Sequence, residues 1–304
     1  MNQPSTPSYD VIIIGGSYAG LSAALVLGRS LWTVLVLDSG QPANRQTPHS
    51  HSFLTRDGET PAELTRIARQ QALVYPTVSL RDATVTTVQP SDSSFQVYTN
   101  DGEVFTAKRL ILATGLSDVL PAMPGFAECW GISVLHCPFC HGYEVKDQVV
   151  GVLGNGDEGF GLAKLIHYWN PGLTLFTNGP STLNPEQTAK LHQHAIPIIE
   201  TPLVALQHRN GQLDALKLAD QSVKPLQALY ARPAMQQSND LALQLGCELD
   251  EIGMIQVDEF GKTSVRGVFA AGDNQTMMRQ VLVAATNGLR AAVMITRELM
   301  EEKF

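Results

Sequence analysis

Residues 9–38 read YDVIIIGGSYAGLSAALVLGRSLWTVLVLD, and the fold can be inferred outward from this stretch. The apolar runs Val11–Ile14 and Val34–Leu37 each predict a strand buried on both faces. Between them, Leu21–Arg29 has the pattern of a helix with small residues where it would pack on a sheet. The stretch therefore predicts a β-α-β unit with a glycine-rich first turn.

That first turn has the composition of a dinucleotide-binding site. Gly15 and Gly20 let the backbone bend tightly and approach a pyrophosphate, which lies on the amide groups at a helix N-terminus. Ser17 stands where the G-x-G-x-x-G pattern has its middle glycine, and serine is small enough to permit the approach. Asp38 ends the second strand, where a carboxylate accepts hydrogen bonds from ribose hydroxyls.

A second unit of the same kind follows at residues 150–178, VGVLGNGDEGFGLAKLIHYWNPGLTLFTN. Its glycine pattern, Gly154-x-Gly156-x-x-Gly159, is complete and includes Asp157. Thr177 and Asn178 stand where the ribose acid is expected, and no Arg or Lys is there to hold a 2′-phosphate. Three interpretations stay open: a compromised NAD(P) site, a site for another adenine-containing cofactor, or a scaffold whose glycines only make the turn.

The rest of the chain predicts further elements of an α/β fold. Hairpin turns are indicated at residues 100–102 and 209–211, where Asn-Gly and Asp-Gly steps separate apolar runs. Helices are predicted at 61–75 and 184–195, and strands at 83–88, 95–99, 104–107 and 109–115. A last helix, about Arg279–Met300, carries small residues that favour close backbone packing: Ala284, Ala285, Gly288, Ala291 and Ala292.

Composition excludes several classes of protein. The formal net charge of −8 and the absence of a Lys/Arg run argue against nucleic-acid binding. No apolar run reaches the ~18 residues of a transmembrane helix. The N-terminal sequence MNQPSTPS lacks the basic and apolar regions of a signal peptide, so we expect a cytoplasmic protein.

The segment HCPFCHGYE, residues 136–144, carries the reactive chemistry. Cys137 and Cys140 could form a zinc clip, an inert disulfide or a redox pair. Zinc binding is disfavoured because side chains that are neighbours along one turn of the chain cannot easily surround a metal ion, and no second CxxC is present. We therefore expect no metal. A thiolate at a helix start is stabilised, which suits redox exchange. Cys129 and Cys247 are expected to be buried apolar groups.

The N-terminal β-α-β unit, CPFC and the later VFAAGD together resemble the low-molecular-weight thioredoxin reductases and related flavin-dependent disulfide oxidoreductases. This resemblance implies two Rossmann-like nucleotide-binding domains of the three-layer ββα type, the second inserted in the first. The FAD-binding domain would comprise residues 1–117 and 243–304. The inserted NAD(P)-binding-like domain would comprise residues 118–242 and carry the CxxC pair. Such proteins are usually homodimers.

The resemblance also implies residue roles. FAD would be bound by Gly15, Ser17, Ala19, Gly20, Asp38, Ser39, Asn44, Arg45, Gln46, Thr114, Gly115, Gly272, Asp273, Arg279, Gln280 and Val281. Cys140 would exchange electrons with the flavin and Cys137 with the substrate. His141 would be the general acid/base, since it replaces the acid of the family, and Glu144 would either orient it or lie in solvent. His49 and His51, in the stretch TPHSHSF, would either line the substrate entrance or be ordinary surface or turn residues.

The motifs GGSYAG, CPFCHGYE and FTNG are closer to gliotoxin-type dithiol oxidases and their bacterial relatives than to thioredoxin reductases, which have CATC and a basic NADPH-binding motif. Those oxidases pass electrons from a dithiol to the CxxC disulfide, then to FAD and oxygen. We therefore favour dithiol oxidation without a strict need for NADPH. An NAD(P)H-dependent thioredoxin reductase and a flavin-binding redox sensor are the alternatives. The substrate would be a small dithiol or a thioredoxin-like protein.

Overall fold

The structure is a computed structural model and describes residues 6–304. The strands are β1 (Ser8–Ile14), β2 (Val34–Asp38), β3 (Val78–Asp82), β4 (Val85–Ser91), β5 (Ser94–Thr99), β6 (Val104–Leu112), β7 (Leu116–Val119), β8 (Val134–Leu135), β9 (Val150–Leu153), β10 (Thr174–Phe176), β11 (Ile198–Ile199), β12 (Leu203–Arg209), β13 (Gln212–Leu218), β14 (Val223–Pro225), β15 (Ala228–Ala231), β16 (Ala234–Gln237) and β17 (Val268–Ala270). The helices are α1 (Tyr18–Arg29), α2 (Pro61–Ala72), α3 (Phe126–Cys129), α4 (Pro138–His141), α5 (Gly156–Ile166), α6 (Pro185–Gln193), α7 (Leu241–Gln244) and α8 (Val281–Lys303). Within this described part, no helix has both the length and the apolar character needed to cross a membrane.

The chain divides into two compact units. The first comprises the chain through Arg45, Pro61–Ser117 and Met235–Phe304, and the second comprises Gln46–Thr60 and Asp118–Ala234. The second unit is thus inserted in the first, as the fold class predicted. The predicted boundaries differ at two places. Residues 46–60 contact the second unit, where the Gln46 side chain donates to the Ala127 carbonyl, and the chain returns to the first unit at Met235 rather than at residue 243.

The first unit is built on a sheet of order β3-β2-β1-β6-β5-β4, with β17 also paired to β6. Strands β1, β2, β3, β6 and β17 are parallel, and β4 and β5 form an antiparallel extension. Residues 11–14 are at most 5% exposed, because apolar clusters cover both faces of the sheet. This is the three-layer arrangement expected of a Rossmann-like domain.

Helix α8 crosses α1 at very short range. The Ser22 hydroxyl donates to the Ala285 carbonyl at 2.7 Å, and a Cβ added at Gly288 would lie 2.0 Å from the Ala19 carbonyl oxygen. The small residues predicted for close packing are therefore placed at this crossing. The far end of α8 is fixed to β6 by Arg109, which is 8% exposed and pairs with Glu298 at 3.0 Å and with Glu302.

The second unit has its own parallel sheet of order β11-β10-β9-β15-β8 and a separate antiparallel sheet of order β12-β13-β14. Its core forms two apolar clusters, one around Phe126, Trp130 and Leu216 and the other around Val152, Leu162 and Tyr230. Strand β8 lies at the edge of the parallel sheet and leads directly into the HCPFCHGYE segment.

Most predicted elements are confirmed within a few residues. Both hairpins are present, since Thr99 donates to the Glu103 carbonyl and Gly211 has the positive φ of +82° that such turns require. One strand was divided in error, since residues 104–107 and 109–112 belong to the single strand β6, which ends at Leu112. Strand β3 was not predicted, because VSLRD has only two strongly apolar residues.

Candidate functional site

The glycine-rich turn after β1 is packed against backbone on two sides. A Cβ at Gly15 would lie 2.2 Å from the Ala113 carbonyl oxygen, and one at Gly20 would lie 1.9 Å from the Gly15 carbonyl oxygen. Gly16, which the sequence analysis did not single out, is equally constrained, since its Cβ would lie 2.8 Å from Asp38 Cβ. The turn can pack this closely only because these positions lack side chains.

The N-terminus of α1 is suited to an anion. Ser17 is the N-cap residue in an extended conformation, and its side chain makes no capping hydrogen bond. The first turn of α1 contains no acidic residue. The first amide groups of this helix therefore point their donors and the positive end of the helix dipole toward the position that a pyrophosphate would occupy.

Asp38 ends β2 with a side chain that is 14% exposed. Its Oδ2 accepts a hydrogen bond from the Arg69 guanidinium at 2.6 Å, and Arg69 also lies 3.5 Å from Asp82. No sequence motif indicates this pair, because the two residues are 31 positions apart. Arg69 fixes one oxygen of the carboxylate and leaves the other for a ribose hydroxyl.

The carboxyl ends of β6 and β17 supply the other side of this site. Asn274, which the sequence analysis missed, is fully buried, and its side-chain amide donates to the Leu112 carbonyl at 2.8 Å and lies 3.4 Å from the Thr114 hydroxyl. Gly272 has φ of +99°, and its added Cβ would lie 3.1 Å from Ala19 Cβ. Asp273 pairs with Arg279 at 3.3 Å. The signal available for Asn274 was its position directly after VFAAGD.

The structure therefore brings together, within the first unit, Gly15, Ser17, Ala19, Gly20, Asp38, Thr114, Gly272, Asp273 and Arg279. Gln280 is the N-cap of α8 and Val281 its first residue. The structure gives less support for the remaining predicted cofactor residues, which are Ser39, Asn44, Arg45, Gln46 and Gly115. Of these, Asn44 contacts the first turn of α1, because its side-chain amide donates to the Tyr18 hydroxyl. Gln46 lies in the second unit. Its assignment to the flavin remains a prediction.

These residues fit FAD. The glycines of the turn lie so close to neighbouring protein atoms that an added Cβ would clash. The N-terminus of α1 has no side-chain cap and could bind the pyrophosphate, and Asp38 offers a carboxylate to the ribose. The buried Asn274 Oδ1 has no hydrogen-bond partner within the described chain, which is consistent with a donor supplied from outside the protein.

The second unit holds the two cysteines of the CPFC segment. Cys137 and Cys140 form a disulfide with their Cα atoms 5.3 Å apart, and Cys137 is the N-cap of the four-residue helix α4. His136 stacks on the buried Trp130 with ring centroids 5.7 Å apart. Among residues 6–304, no three His, Cys, Asp or Glu side chains are grouped so as to hold a metal ion.

The other two cysteines are poor competitors for thiol exchange. Cys129 and Cys247 are both buried and unpaired in a disulfide. Burial raises the pKa of each thiol above 9.0, with smaller opposing effects from Ser133 and Thr263. Because the thiolate is the reactive form, Cys137 and Cys140 are the pair available for exchange.

His141 follows Cys140 and has a shifted proton affinity. Burial lowers the pKa of His141 below 6.5, the Glu144 carboxylate opposes that shift, and His51 adds to it. A neutral imidazole is therefore present at ordinary pH, and a neutral imidazole accepts a proton. His141 directly follows Cys140 in the chain, and its role as the general acid/base remains a prediction.

The glycine-rich turn of the second unit differs from that of the first. The Asn155 side-chain oxygen accepts hydrogen bonds from the Gly156 amide at 2.9 Å and the Thr182 amide at 2.8 Å. Gly156 has φ of +53°, and a Cβ there would lie 2.9 Å from the Thr182 hydroxyl. The N-terminus of α5 is thus capped by the protein itself, and Asp157 and Glu158 add negative charge to its first turn.

The predicted ribose positions of the second unit also make internal contacts. Thr177 is 5% exposed, and its hydroxyl donates to the Gly179 carbonyl at 2.7 Å. The Asn178 side-chain oxygen accepts from the Leu203 amide at 2.8 Å. The Asp157 carboxylate accepts from the Gln187 amide at 2.6 Å. Gly154 and Gly159 contact each other closely, as a Rossmann-like turn requires.

Comparison with known proteins agrees with this geometry. The pattern of the family described as pyridine nucleotide-disulphide oxidoreductase matches residues 9–288. The thioredoxin reductase tcpT of Claviceps purpurea is 32% identical over 304 residues, which cover 96% of this chain and 95% of the relative. The crystal structure of an oxidoreductase from Agrobacterium tumefaciens is 36% identical, covers 96% of this chain and 99% of its own, and has a TM-score of 0.90. The crystal structure of HlmI is 34% identical, covers 100% of this chain and 95% of its own, and has a TM-score of 0.92.

The family match covers most of the chain, and the relatives extend over nearly its whole length. The resemblance to thioredoxin reductase-like flavin enzymes is thereby confirmed. This is a family of FAD enzymes that usually also use NAD(P)H. The chain belongs to the pyridine nucleotide-disulphide oxidoreductase family and is an FAD-dependent disulfide oxidoreductase of the thioredoxin reductase type.

Proposed function

We propose that this enzyme oxidises dithiols, without a strict need for NADPH. A substrate dithiol would reduce the Cys137–Cys140 disulfide, and FAD, when bound, would accept the electron pair from the reduced cysteines. His141, neutral at ordinary pH, would take a proton from the attacking substrate thiol, because a thiol reacts as its thiolate.

The observation that carries this proposal is the capped N-terminus of α5. A dinucleotide pyrophosphate needs free amide donors and close approach to the middle glycine of the turn. Asn155 already accepts from the Gly156 amide, and the Thr182 hydroxyl occupies the approach to Gly156. The side chains of Thr177 and Asn178 are bound to backbone groups. These contacts disfavour NAD(P)H at the second turn.

A second candidate is an NAD(P)H-dependent thioredoxin reductase. The complete pattern from Gly154 to Gly159 favours it, and several relatives carry the name thioredoxin reductase. In this case the segment that contains Thr182 would have to move when NADPH binds. The homodimeric state, the cytoplasmic location and the physiological thiol are also proposals, and mass measurement of the native protein is the test of the first.

An anaerobic experiment separates the two functions. The purified flavoprotein is mixed with dithiothreitol, with NADPH or with NADH, and loss of the oxidised flavin absorbance is followed. Bleaching by dithiothreitol, with no comparably fast bleaching by either nicotinamide, supports dithiol oxidation, and peroxide formed on admitting air identifies oxygen as an acceptor. Rapid bleaching by NADPH would refute the proposal.

Two variants sharpen this experiment. Cys140→Ser is expected to retain FAD and to lose bleaching by dithiothreitol, because the electron path through the disulfide is broken. The matched control is Cys129→Ser, which changes a buried cysteine outside the pair and is expected to react as the parent does. If Cys140→Ser reacts at the parent rate, the cysteine pair is not the route of the electrons.

A further inference from the structure

His51 lies between two carboxylates beside the redox-active disulfide. Its Nδ1 is 3.5 Å from Asp57 Oδ2, and its Nε2 is 3.4 Å from Glu144 Oε1. Both ring nitrogens are thus directed at acidic oxygens. The His51 side chain is 21% exposed, and Asp57, on the outer side, is 66% exposed.

The segment that carries His51 is fixed to the disulfide segment. The Ser52 hydroxyl donates to the Phe139 carbonyl at 3.3 Å, and Phe139 lies between the two cysteines in sequence. The Ser52 amide donates to Asp57 Oδ1 at 2.7 Å. A hydrogen bond from the Ser52 amide, and a weaker effect of the hydrogen bond from His51, lower the pKa of Asp57 below 3.8. His51, Asp57 and Glu144 are therefore held as one group within the second unit.

Dithiol oxidation needs more than one base. Two substrate thiols each lose a proton. The first thiolate attacks Cys137 Sγ, the Cys137–Cys140 bond breaks, and Cys140 leaves as a thiolate. The second thiolate attacks the substrate sulfur of the mixed disulfide, and Cys137 leaves as a thiolate. The substrate has then lost two electrons and two protons, and the cysteine pair has gained the two electrons. His141 can hold only one of these protons.

We propose that His51, held between the Glu144 and Asp57 carboxylates, is the second proton acceptor of this site, and that Asp57 stabilises His51 when it carries the proton. This inference rests on the proposed dithiol oxidation. A carboxylate holds a proton poorly at neutral pH, whereas an imidazole holds one readily. The transferred proton would therefore reside on the histidine and not on a carboxylate. Asp57 is exposed, which gives the proton a path to water.

The groups that face this relay are consistent with the role. His49 has its ring centroid 6.5 Å from that of His51, and its Nδ1 is 2.9 Å from the Gly58 carbonyl oxygen, so it is held away from both carboxylates. Tyr230 is the other titratable group near Glu144. Burial, and then Glu144, raise the pKa of its phenol, so Tyr230 stays neutral and does not compete for the proton.

The test is chemical rescue of His51→Ala. Anaerobic bleaching of the flavin by dithiothreitol is measured at fixed pH and ionic strength while imidazole is added. We expect His51→Ala to be slowed about ten-fold or more and to recover as imidazole rises. Pyrazole, a much weaker base of the same shape, should restore nothing. His49→Ala is the matched control and should match the parent at every imidazole concentration.

A second readout separates proton transfer from a structural role. A monothiol forms only the first mixed disulfide and releases one proton. Its adduct with Cys137, measured by mass after rapid quenching, should form at the parent rate in His51→Ala, because His141 serves that step. If His51→Ala does not fold, His51→Gln keeps an amide donor for one of the two carboxylates but cannot carry the proton, and it should show the same loss with the dithiol.

Three outcomes would overturn the proposal: a parent rate in His51→Ala, a loss that imidazole does not restore, or an equal loss with the monothiol. Failure of the proposed function gives a different result, since NADPH and not dithiothreitol would then bleach the parent. The same variants would in that case be compared in NADPH-driven reduction of a small aromatic disulfide. In that reaction His51 would donate protons to the thiolates that are formed, and the same imidazole dependence is expected.

Discussion

Gly288→Ala tests whether the crossing of α1 and α8 supports the FAD site. A Cβ at residue 288 would lie 2.0 Å from the Ala19 carbonyl oxygen and 2.9 Å from its carbonyl carbon, whereas real Cβ contacts are essentially never shorter than 3.0 Å. The neighbour is backbone and cannot rotate away. The two helices must therefore separate by about 1 Å, and α1 carries the amide groups of the phosphate turn.

The magnitude follows from two opposing effects. Overpacking costs about 3 kcal/mol, and replacing glycine by alanine within a helix returns about 1 kcal/mol. A net loss of about 2 kcal/mol corresponds to a fall in melting temperature of roughly 4–8 °C for a unit of this size. Because a displacement of about 1 Å disturbs the positions of the phosphate donors, the dissociation constant of FAD should rise about ten-fold or more.

The assay combines thermal unfolding with FAD release followed by fluorescence. Gly161→Ala is the control, because Gly161 is also helical, in α5, and an added Cβ there meets no atom within 4 Å. This control should bind FAD as the parent does and gain up to about 1 kcal/mol in stability. A Gly288→Ala protein with the parent melting temperature and FAD affinity would refute the reasoning.

Three further outcomes are expected. Asp38→Asn should weaken FAD binding about ten-fold, through loss of a charge-assisted hydrogen bond to ribose, and unchanged affinity in a fluorescence titration would count against the assignment. Arg109→Met should cost only about 1 kcal/mol in denaturant unfolding, because Glu302 is 43% exposed and Glu298 keeps Lys262 as a partner, and the flavin spectrum should not change. The part of the pH profile of dithiol oxidation that is lost in His141→Ala should have its acidic limb below pH 6.5, because burial lowers the pKa of His141 and the neutral ring is the base; a His141-dependent limb above pH 6.5 would contradict this.

The local pattern of the sequence was sufficient for much of the fold. Each β-α-β unit is contiguous, so its strands, helix and glycines could be placed without knowledge of distant contacts. Strand β6 was divided in error because Lys108 interrupts an apolar run, although its side chain faces solvent and pairs with Asp10. The boundary at residue 46 was missed for another reason: the contact of Gln46 with Ala127 spans 81 positions.

The candidate site was recovered only in part, for the same physical reason. Cys137, Cys140 and His141 are adjacent in sequence, so their common site could be predicted. Other pairs of the candidate sites join residues that are distant in sequence: His51 reaches Glu144 across the fold of the second unit, and Arg69 on α2 reaches Asp38 at the end of β2. No periodicity or motif encodes such pairs, because they depend on tertiary packing.

The self-capped turn of α5 bears on attempts to redesign nicotinamide preference. A common strategy would graft basic residues onto positions 177 and 178 to attract a 2′-phosphate. The side chains of Thr177 and Asn178, however, form hydrogen bonds with the backbone at Gly179 and Leu203. Replacing them with basic residues would remove these hydrogen bonds and destabilise the loop that has to bind the 2′-phosphate. We expect that any successful conversion must first release Thr182 from Asn155, and that charge should be added only afterwards.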